Sequence, residues 1–474
     1  MGRRITYLLS RYPAVSHTFF LTEIRALRRQ GFAVDVISIN DCDRPIEQLT
    51  HEEREERQAT FYLKSSGPAA ILAALWRALS SAPLRFLRAA GYAARLSRGA
   101  PRALLYRMFY LVEAAVVIER MRRAGSNHLH VHFGSEVATV ALLAKQLAPL
   151  RLSLTIHGSD EFYDVSEYHL GEKMAAADFV FCISHYTASQ LMRLSEYRHW
   201  RKISVAPLGV DIDKFRPGPP RDATDPVTIL CVGRLNAAKG LHVLLTAFAR
   251  LAPRFPDLRL TLVGDGEERR SLEALVDVLG IRQRVHFAGV VNQDNILPWY
   301  QQADIFCLPS FAEGVPVVLM EAMATGLPCV TSRITGIPEL IDDGVDGVLV
   351  TAADADALAA ALAELIASPE KRRRIGTAAR HKIATRYHLD ANFEALGRAF
   401  QRQLERLDRP GVAEPELSGL PETVSPSPAF HLISAPPLSA VAPVWKAEPP
   451  SPGDASAPPT IAEAKPRLEV ETHG

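Results

Sequence analysis

Two glutamates, Glu313 and Glu321, flank a Gly-Val-Pro turn and a short apolar run in the stretch SFAEGVPVVLMEAMATGLP, residues 310–328. Paired carboxylates of this kind can act as acid and base around a reacting bond. They can also make two separate contacts with one ligand, because each carboxylate accepts hydrogen bonds from hydroxyl groups. The structural alternative is that Glu313 stabilises a helix dipole and Glu321 is a solvated helix residue.

The elements that would position this pair are a strand and a helix. DIFCLPS is predicted to be the strand and PVVLMEAMAT the helix, with Pro316 at its first position and Gly326 just after its end. Glu313 then lies in the loop at the carboxyl end of the strand, beside the N–H groups of a helix start, where anions bind. Glu321, about a turn and a half into the helix, reaches the same region if the helix axis points towards it.

A second stretch suited to anions is CVGRLNAAKGLHVLL, residues 231–245. Its pattern predicts a strand, a loop that contains Arg234 and Lys239, and a helix that opens just after Lys239. Two cations beside a helix start can stabilise a diphosphate without a metal ion. The spacing is not that of a Walker A loop, and solvated surface cations are the structural alternative. Because Glu313 and Glu321 are expected at the same sheet edge, the combination favours a binding site.

Strands and helices alternate through two parts of the chain, which predicts an α/β protein with two doubly wound parallel sheets. Residues 1–208 are expected to form an N-terminal Rossmann-like domain, 209–226 a linker, and 227–385 a second Rossmann-like domain. Residues 386–405 are expected to form a helix that packs back on the first domain, and 406–474 a disordered proline-rich tail. Ligands of open α/β sheets bind at the carboxyl ends of the strands, so the expected site is a cleft between two facing sheets.

The composition limits the compartment and the partners. The 474-residue chain has a net charge of +1, but its first 208 residues carry 27 Lys and Arg against 19 Asp and Glu. This basic half is the one expected to meet an anionic partner. The five cysteines are scattered without a C-x-x-C pair, as is typical of a reducing compartment. No apolar run approaches a membrane-spanning length, so we expect a cytoplasmic protein.

Several motifs resemble those of the retaining glycosyltransferases of family 4, which have the GT-B fold. In the second half these motifs are G-R-L-x(4)-G, the Gly-Asp-Gly of LVGDGEERRSLE, and E-x(7)-E with the adjoining GVPVVLMEAMATGLPCV. In the first half SRYPAVSHTFFLTEI, HVHFG, TIHGSD and APLGVDIDKF are similar to the subgroup of exopolysaccharide and lipopolysaccharide biosynthesis, of the colanic-acid type. The resemblance covers residues 3–405.

The resemblance implies that the domain of residues 1–208 binds the acceptor and that of residues 227–385 the nucleotide-sugar. It also implies a role for each matching residue. Arg234 and Lys239 would neutralise the diphosphate as it leaves. Glu313 would contact hydroxyl groups of the donor sugar, and Glu321 those of the ribose. His157, from the H-G-x-D segment, would lie near the donor sugar; its structural alternative is a histidine satisfied by the following turn. The catalytic residues implied are His157, Glu313, Arg234 and Lys239. The donor-binding residues implied are Gly233, Arg234, Lys239, Gly264, Glu313, Gly314, Val317, Val318 and Glu321.

The resemblance also implies that no metal ion or other cofactor is needed. Anomeric configuration would be retained by attack on the same face, with the donor phosphate helping to deprotonate the acceptor. D-x-D is the metal-binding sign of the other large glycosyltransferase fold, and it occurs here at residues 41–43, 211–213 and 354–356. Three matches in one chain show how common the pattern is, so we interpret them as acidic loop residues.

The acceptor side is expected in the loop RYPAVSHT and near the H-G-x-D segment. The candidate contacts are Arg11, Ser16, His17, Thr18 and Asp160. Thr18 has the alternative role of a helix N-cap. The subgroup commonly has S-E-T-F where this chain has His17, and Asn where it has Leu208; the first departure bears on the acceptor loop.

A basic segment between residues 64 and 112 contains no Asp or Glu and interleaves its cations with leucines and aromatic residues. Helices that are basic on one side and apolar on the other can lie on an anionic bilayer. The alternative is a solvated arginine-rich face whose apolar side packs on the first domain. The basic residues are Lys64, Arg77, Arg85, Arg88, Arg95, Arg98, Arg102 and Arg107.

These observations predict a retaining glycosyltransferase, peripherally associated with the inner face of the cytoplasmic membrane. It would move a sugar from a UDP- or GDP-sugar to a lipid-linked or oligosaccharide acceptor in cell-surface polysaccharide biosynthesis. No nucleic-acid partner is expected. Two alternatives stay open: a catalytically silent scaffold subunit that binds a nucleotide-sugar, and another GT-B enzyme such as a nucleotide-sugar epimerase.

Overall fold

The computed structural model of the protein describes residues 3–14, 18–219, 221 and 225–409. The predictions for Ser16, for His17 and for the proline-rich residues from 410 onward lie outside these ranges. For Thr18 and Asp160 the backbone is described but the side chain is not.

The first sheet is built from short apolar strands of the N-terminal half. They are β1 (Arg4–Arg11), β2 (Ala33–Asn40), β3 (Phe61–Tyr62), β4 (His128–His132), β5 (Arg151–Ile156), β6 (Phe179–Cys182) and β7 (Ile203–Val205). Their order in the sheet is β3-β2-β1-β4-β5-β6-β7, and every pair is parallel. All residues of β4 and β6 are buried, as expected for a parallel sheet covered by helices on both faces.

Helices connect and cover these strands. They are α1 (Thr18–Arg29), α2 (His51–Ala59), α3 (Pro68–Ser81), α4 (Pro83–Leu96), α5 (Pro101–Ala124), α6 (Glu136–Leu147), α7 (Ser159–Tyr163), α8 (Val165–Tyr168), α9 (Leu170–Ala176) and α10 (His185–Leu194). Proline occupies the first turn of α3, α4 and α5, where its missing N–H would have had no partner within the helix. The three helices form one excursion between β3 and β4.

The second sheet repeats this plan. Its strands are β8 (Thr228–Val232), β9 (Arg259–Val263), β10 (Val285–Gly289), β11 (Ile305–Leu308), β12 (Cys329–Ser332) and β13 (Val348–Val350). The order is β10-β9-β8-β11-β12-β13, again with every pair parallel. The order reverses between β8 and β11, so the loops that follow these two strands open a crevice of the kind that binds ligands.

The helices of the second half cover this sheet, with one exception. They are α11 (Leu241–Leu251), α12 (Arg269–Val278), α13 (Leu297–Gln301), α14 (Val317–Ala324), α15 (Ile337–Leu340), α16 (Ala355–Ala367), α17 (Pro369–Arg386) and α18 (Leu389–Asp408). The exception is α18, which packs on the first sheet. The predicted fold, two doubly wound parallel sheets of the α/β class, is confirmed.

The chain returns to the first domain at the start of α18. Val210 donates its N–H to the carbonyl of Tyr387 at 2.9 Å and accepts from Leu389 at 3.1 Å, so the linker and this crossing are held side by side. Phe393 and Phe400 of α18 then join a buried cluster with residues of β1, α1 and β6. The two domains are therefore fastened by the linker and by a helix that belongs to the core of the first.

Candidate active site

The centre of the site is an ion pair at the carboxyl edge of the second sheet. Lys239 Nζ lies 2.6 Å from Glu313 Oε1, and the Ser310 hydroxyl donates to the same oxygen at 2.7 Å. The carboxylate is therefore held in one orientation by two donors. An ammonium group has three N–H bonds, so Lys239 can bind an anion while it stays on Glu313. The structure thus brings together two residues that the sequence placed in separate motifs.

The loop that carries Glu313 leads directly into α14. Pro316 is the residue before the first helical turn, one position earlier than predicted, and the helix begins at Val317. The first backbone bond of the helix is made by Leu319 to the Pro316 carbonyl at 3.1 Å. The N–H groups of Val317 and Val318 come before it, at the positive end of the helix dipole. Gly326 follows the helix in the left-handed conformation, at φ +79, as predicted.

Glu321 is not a solvated helix residue, because only 3% of it is exposed. Its carboxylate accepts hydrogen bonds of 2.7 Å from the Gln293 amide and 2.7 Å from the Tyr300 hydroxyl. Burial raises the pKa of Glu321, and both hydrogen bonds oppose that rise. A carboxylate oxygen has two lone pairs, so each oxygen can accept one further hydroxyl group from a ligand.

Glu321 and Val317 line a cleft of about 930 Å³ between the domains. Its other wall carries Tyr12, Phe19 and Arg25 from the first domain. A volume of this size is in the range of small-molecule binding sites. The prediction of a site in an interdomain cleft therefore agrees with the position of Glu321.

The loops after β8 and β9 touch through glycine. A Cβ on Gly264, which has φ +135, would lie 1.9 Å from the carbonyl oxygen of Gly233. Only glycine fits such an approach at position 264, and Gly233 supplies the carbonyl that it meets. Arg234 follows Gly233 and is exposed. Among the described residues no carboxylate forms an ion pair with Arg234, in contrast to Lys239.

His157, just after the carboxyl end of β5, touches the Glu313 loop across the boundary between the domains. A Cβ on Gly314 would lie 2.0 Å from the carbonyl oxygen of His157, and a Cβ on Gly158 would lie 2.5 Å from the Cα of Gly314. The two backbones are therefore in direct contact in this closed arrangement of the domains. The geometry brings His157 and Glu313 to one place from different halves of the chain.

Glu161, a residue that the sequence analysis did not single out, stabilises the turn at His157 through hydrogen bonds to the backbone. Its carboxylate accepts from the N–H groups of His157 at 2.7 Å and Gly158 at 2.8 Å, and also from Gly134. Burial raises the pKa of Glu161 to about 7, although these N–H bonds lower it. The signal in the sequence was a glutamate three residues after a glycine turn, the spacing of a capping box.

The side chain of His157 is bonded to a buried row of polar groups. His157 Nε2 lies 2.8 Å from His132 Nδ1, and His132 Nε2 lies 3.1 Å from Glu23 Oε1. The Tyr7 hydroxyl donates to that same Glu23 oxygen at 2.7 Å. The alternation HLHVH in β4 could have indicated that several histidines share one face of the sheet.

The remaining first-domain candidates lie at the end of β1 or in the first turns of α1 and α7. Arg11 ends β1 and is exposed. Thr18 is the first residue of α1, and Asp160 lies in α7, three residues after His157. The structure thus describes the backbone of these three candidates but does not test their contact with an acceptor.

The three D-x-D sequences serve as turns or caps. Asp41 accepts from the N–H of Cys42, Asp211 from that of Asp213, and Asp354 caps the start of α16 by accepting from Ala357. Their local roles agree with the interpretation as loop residues. That no metal is needed for the reaction stays a prediction.

Among the described residues one group has a metal-like arrangement, namely Glu23, His130 and His132. Both ring nitrogens of His130 already lie near hydroxyl groups, Ser153 at 2.7 Å and Thr155 at 3.2 Å. A metal ion held by this group would have to displace one of these bonds of His130.

The basic segment forms a surface that is both cationic and apolar. Trp76 and Leu84 are each 71% exposed, and Leu72, Leu87, Leu105 and Phe109 are more than half exposed. Among its cations, Arg107 is an exception: it is buried and donates to the carbonyl of Glu167 at 3.3 Å, because its helix packs that side inward. Arg107 is therefore not an exposed cation, whereas the other seven cations of the segment are exposed. Two of these seven are ion-paired, Arg77 with Glu119 and Arg95 with Glu172.

Among the described residues no single helix is both long and apolar enough to cross a membrane. α3 and α4 reach that length and composition only as a pair, with a bend of 112° between them.

Two doubly wound parallel sheets, with the carboxyl edge of the second touching a histidine that follows a strand of the first, have the arrangement of the GT-B fold. Two family models match the chain: "Glycosyltransferase Family 4" over residues 17–214 and "Glycosyl transferases group 1" over residues 212–382. The chain therefore belongs to the family 4 glycosyltransferases, as its motifs suggested.

Relatives with named activities support this assignment. The chain is 28% identical to the amylovoran biosynthesis glycosyltransferase AmsK of Erwinia amylovora, over 84% of this chain and 99% of AmsK. It is 29% identical to a GDP-mannose-dependent alpha-(1-6)-phosphatidylinositol monomannoside mannosyltransferase of Mycolicibacterium smegmatis, over 61% of this chain and 81% of that protein. Among solved structures, HepE of Anabaena in complex with UDP-glucose has a TM-score of 0.64 at 20% identity and covers 84% of this chain and 99% of its own.

Proposed function

We propose that this glycosyltransferase moves a hexose, with retention of configuration, from a UDP- or GDP-sugar to a lipid-linked or oligosaccharide acceptor in exopolysaccharide or lipopolysaccharide biosynthesis. The observation that carries the proposal is the Lys239–Glu313 pair at the start of α14, with Glu321 buried in the cleft one and a half turns further on. Support for the pathway comes from the similarity to AmsK, and support for the donor class from the GDP-mannose-dependent relative and the UDP-glucose complex of HepE.

In this proposal the protein binds the donor at three places: the ribose, the diphosphate and the sugar. Glu321 accepts from the ribose hydroxyls, while the N–H groups of Val317 and Val318 and the cations Arg234 and Lys239 hold the diphosphate. Glu313, fixed by Lys239, accepts from hydroxyls of the donor sugar. The span from Glu321 to Glu313 is then that of a nucleotide-sugar, and neither glutamate is a nucleophile.

In the transfer step the bond between C1 of the sugar and the diphosphate oxygen breaks, and the acceptor oxygen bonds to C1 from the same face. The acceptor proton passes to the leaving diphosphate, whose negative charge Arg234 and Lys239 stabilise. The carbonyl of His157 lies beside Gly314, and in this proposal the donor sugar binds next to that contact. No metal ion takes part in this proposal.

The acceptor side is proposed to face an anionic bilayer. Arg85 and Arg88 of α4 are exposed beside Leu84, and Trp76 projects from α3 nearby in the chain. Exposed leucine and tryptophan can enter the headgroup region while arginines pair with anionic lipids. Such docking would bring a lipid-linked acceptor to the first domain, at the inner face of the cytoplasmic membrane.

Donor binding and turnover can be tested with one panel. UDP-glucose, UDP-galactose and GDP-mannose are each added to the full chain, and the rise in Tm identifies the donor, because a ligand of the folded state stabilises it. Release of UDP or GDP is then followed for Glu313→Ala and for Glu370→Ala, an exposed control in the first turn of α17. We expect Glu313→Ala alone to abolish release. Binding without release by the native chain would instead indicate a silent scaffold.

Membrane docking is tested by co-sedimentation with vesicles of phosphatidylcholine, with and without phosphatidylglycerol. Replacing Trp76 and Leu84 by serine should reduce binding to the anionic vesicles at least about tenfold. Val278→Ser, at an 83% exposed site of the second domain, is the matched control and should bind as the native chain does. Absence of native binding at low salt would contradict the proposed docking.

A further inference from the structure

We propose that Glu23 and His132 are positioning residues that fix the tautomer and the orientation of the His157 ring. This inference rests on the proposed role of His157 beside the donor sugar. It starts from the buried row Tyr7, Glu23, His132 and His157, in which each member is within hydrogen-bonding distance of the next.

The donor and acceptor of each hydrogen bond in this row can be assigned starting from Glu23. Its oxygen Oε1 accepts from the Tyr7 hydroxyl at 2.7 Å and lies 3.1 Å from His132 Nε2. Burial, and after it the Glu23 charge, raises the pKa of Tyr7 well above its usual value, so the phenol keeps its proton and donates it. A carboxylate oxygen that carries no proton can only accept, from Tyr7 and from His132 alike. His132 therefore carries its proton on Nε2.

A neutral His132 with a proton on Nε2 has only a lone pair on Nδ1. His157 Nε2, 2.8 Å away, must then be the donor of that hydrogen bond. A neutral His157 consequently carries its proton on Nε2, and its Nδ1 acts as an acceptor. A carboxylate that fixes a histidine tautomer through a hydrogen bond is a known device of enzymes.

The surroundings hold this row rigidly. His132 is 2% exposed and its ring lies against those of Phe20 and Tyr7, with centroids 4.7 Å and 5.6 Å away. The His157 ring packs on Phe19 at 4.9 Å and on Phe133 at 4.5 Å. Rotation of either imidazole would break a buried hydrogen bond, which is costly in such a site. Glu23 lies on α1, the helix that follows the predicted acceptor loop. This helix is therefore connected to His157 through the hydrogen bonds of Glu23 and His132.

The test is the tautomer of His157 in the full chain labelled with ¹⁵N-histidine. Long-range ¹H–¹⁵N spectra, assigned with His132→Gln and His157→Gln, report which ring nitrogen of each histidine carries the proton. We expect the Nε2–H form of both in the native chain. Glu23→Gln removes the charge and lets an amide N–H face His132, so the protons should shift to Nδ1 in part or completely.

Two variants separate this effect from a general loss of packing. Tyr7→Phe removes a donor from Glu23 but leaves its charge, so the native tautomers should persist. Glu56→Gln disrupts another buried Tyr–Glu pair, in which Tyr12 donates to Glu56 at 3.0 Å without a histidine, and should also leave His157 unchanged. Nucleotide release from the donor found in the panel should fall about tenfold in Glu23→Gln with little change in KM.

The inference is overturned if native His157 has its proton on Nδ1, or if Glu23→Gln keeps both the native tautomers and the native rate of release. The spectra need no donor or acceptor. If the native chain releases no nucleotide but Glu23→Gln shifts the tautomers, the proposed function fails while the positioning of the ring stands.

Discussion

The carboxylate of Glu339 accepts a hydrogen bond of 2.6 Å from the backbone N–H of Tyr186, across the boundary between the two domains. Its other oxygen accepts from the N–H of His185 at 2.8 Å. A negative charge from the second domain thus rests on the positive end of α10 in the first, where it is favoured by the helix dipole. This contact fastens the closed arrangement in which Gly314 touches His157.

Replacing Glu339 by alanine should loosen this closure without harming either sheet. Two bonds to charged acceptors are lost, which should destabilise the closed arrangement by about 2 kcal/mol. Small-angle X-ray scattering should show a larger radius of gyration, and the KM for the donor should rise. The control is Glu364→Ala on α16, which removes the exposed ion-pair partner of Lys371. An unchanged radius of gyration and KM would show that Glu339 does not hold the domains together.

Gly314→Ala should prevent the contact between the domains while the protein still folds. A methyl group there would lie 2.0 Å from the His157 carbonyl, a clash that moving the domains apart relieves. A shift of about 1 Å between the reacting groups can cost about 100-fold in rate, so nucleotide release should fall by at least that factor. Circular dichroism should show a native Tm.

The control for Gly314→Ala is Gly91→Ala in α4. A Cβ at Gly91 meets nothing within 4 Å, and alanine in a helix is favoured over glycine by about 0.5–1 kcal/mol. Gly91→Ala should therefore release nucleotide at the native rate with an equal or higher Tm. If Gly314→Ala also kept the native rate, the close approach of His157 would not be needed for transfer.

The sequence was sufficient for the fold and for the placement of Glu313 and Glu321 around the start of α14, because both depend on local patterns. Short apolar runs between helices predict buried parallel strands, and the residues around Glu313 and Glu321 lie within one strand–loop–helix unit. The short edge strands β3 and β7 were missed, since two or three residues carry little periodicity. Pro316 was placed one residue too far into α14, within the usual uncertainty of helix ends.

The contacts between distant elements could not be predicted in the same way. His132 and Glu23 are 109 residues apart, and Glu339 and Tyr186 are 153 residues apart. Which helix residue faces which strand end depends on how the helices pack, and periodicity alone does not fix that packing. Glu161 is the exception, because its capping-box spacing is local and could have been read from the chain.

Glu161 should make the stability of the protein depend on pH. Its pKa is raised by burial to about 7 in the folded chain, above its ordinary value of 4.5, so the folded state binds this proton more tightly than the unfolded state does. The resulting stability is complete below pH 4.5 and is lost as the pH rises to about 7. The Glu161→Gln variant should not show this loss, which in the native chain amounts to up to about 3 kcal/mol of the free energy of unfolding between pH 4.5 and about 7. Urea unfolding of the native chain and of Glu161→Gln between these pH values measures how the free energy of unfolding depends on pH. The same dependence in both proteins would contradict this role of Glu161.

The Lys239–Glu313 pair should show strong coupling in a double-mutant cycle for the free energy of unfolding. The two side chains are only 20% and 10% exposed, so removing either one leaves a charge that is poorly solvated. Lys239→Met alone should destabilise the chain by about 2 kcal/mol, but should cost much less in a Glu313→Gln background, where no carboxylate is left unpaired. The exposed pair Arg198–Glu196, with side chains 70% and 68% exposed, is the comparison and should couple by less than about 1 kcal/mol. Equal costs of Lys239→Met in both backgrounds would mean that Glu313 is held by Ser310 rather than by the lysine, and that Lys239 serves the diphosphate alone.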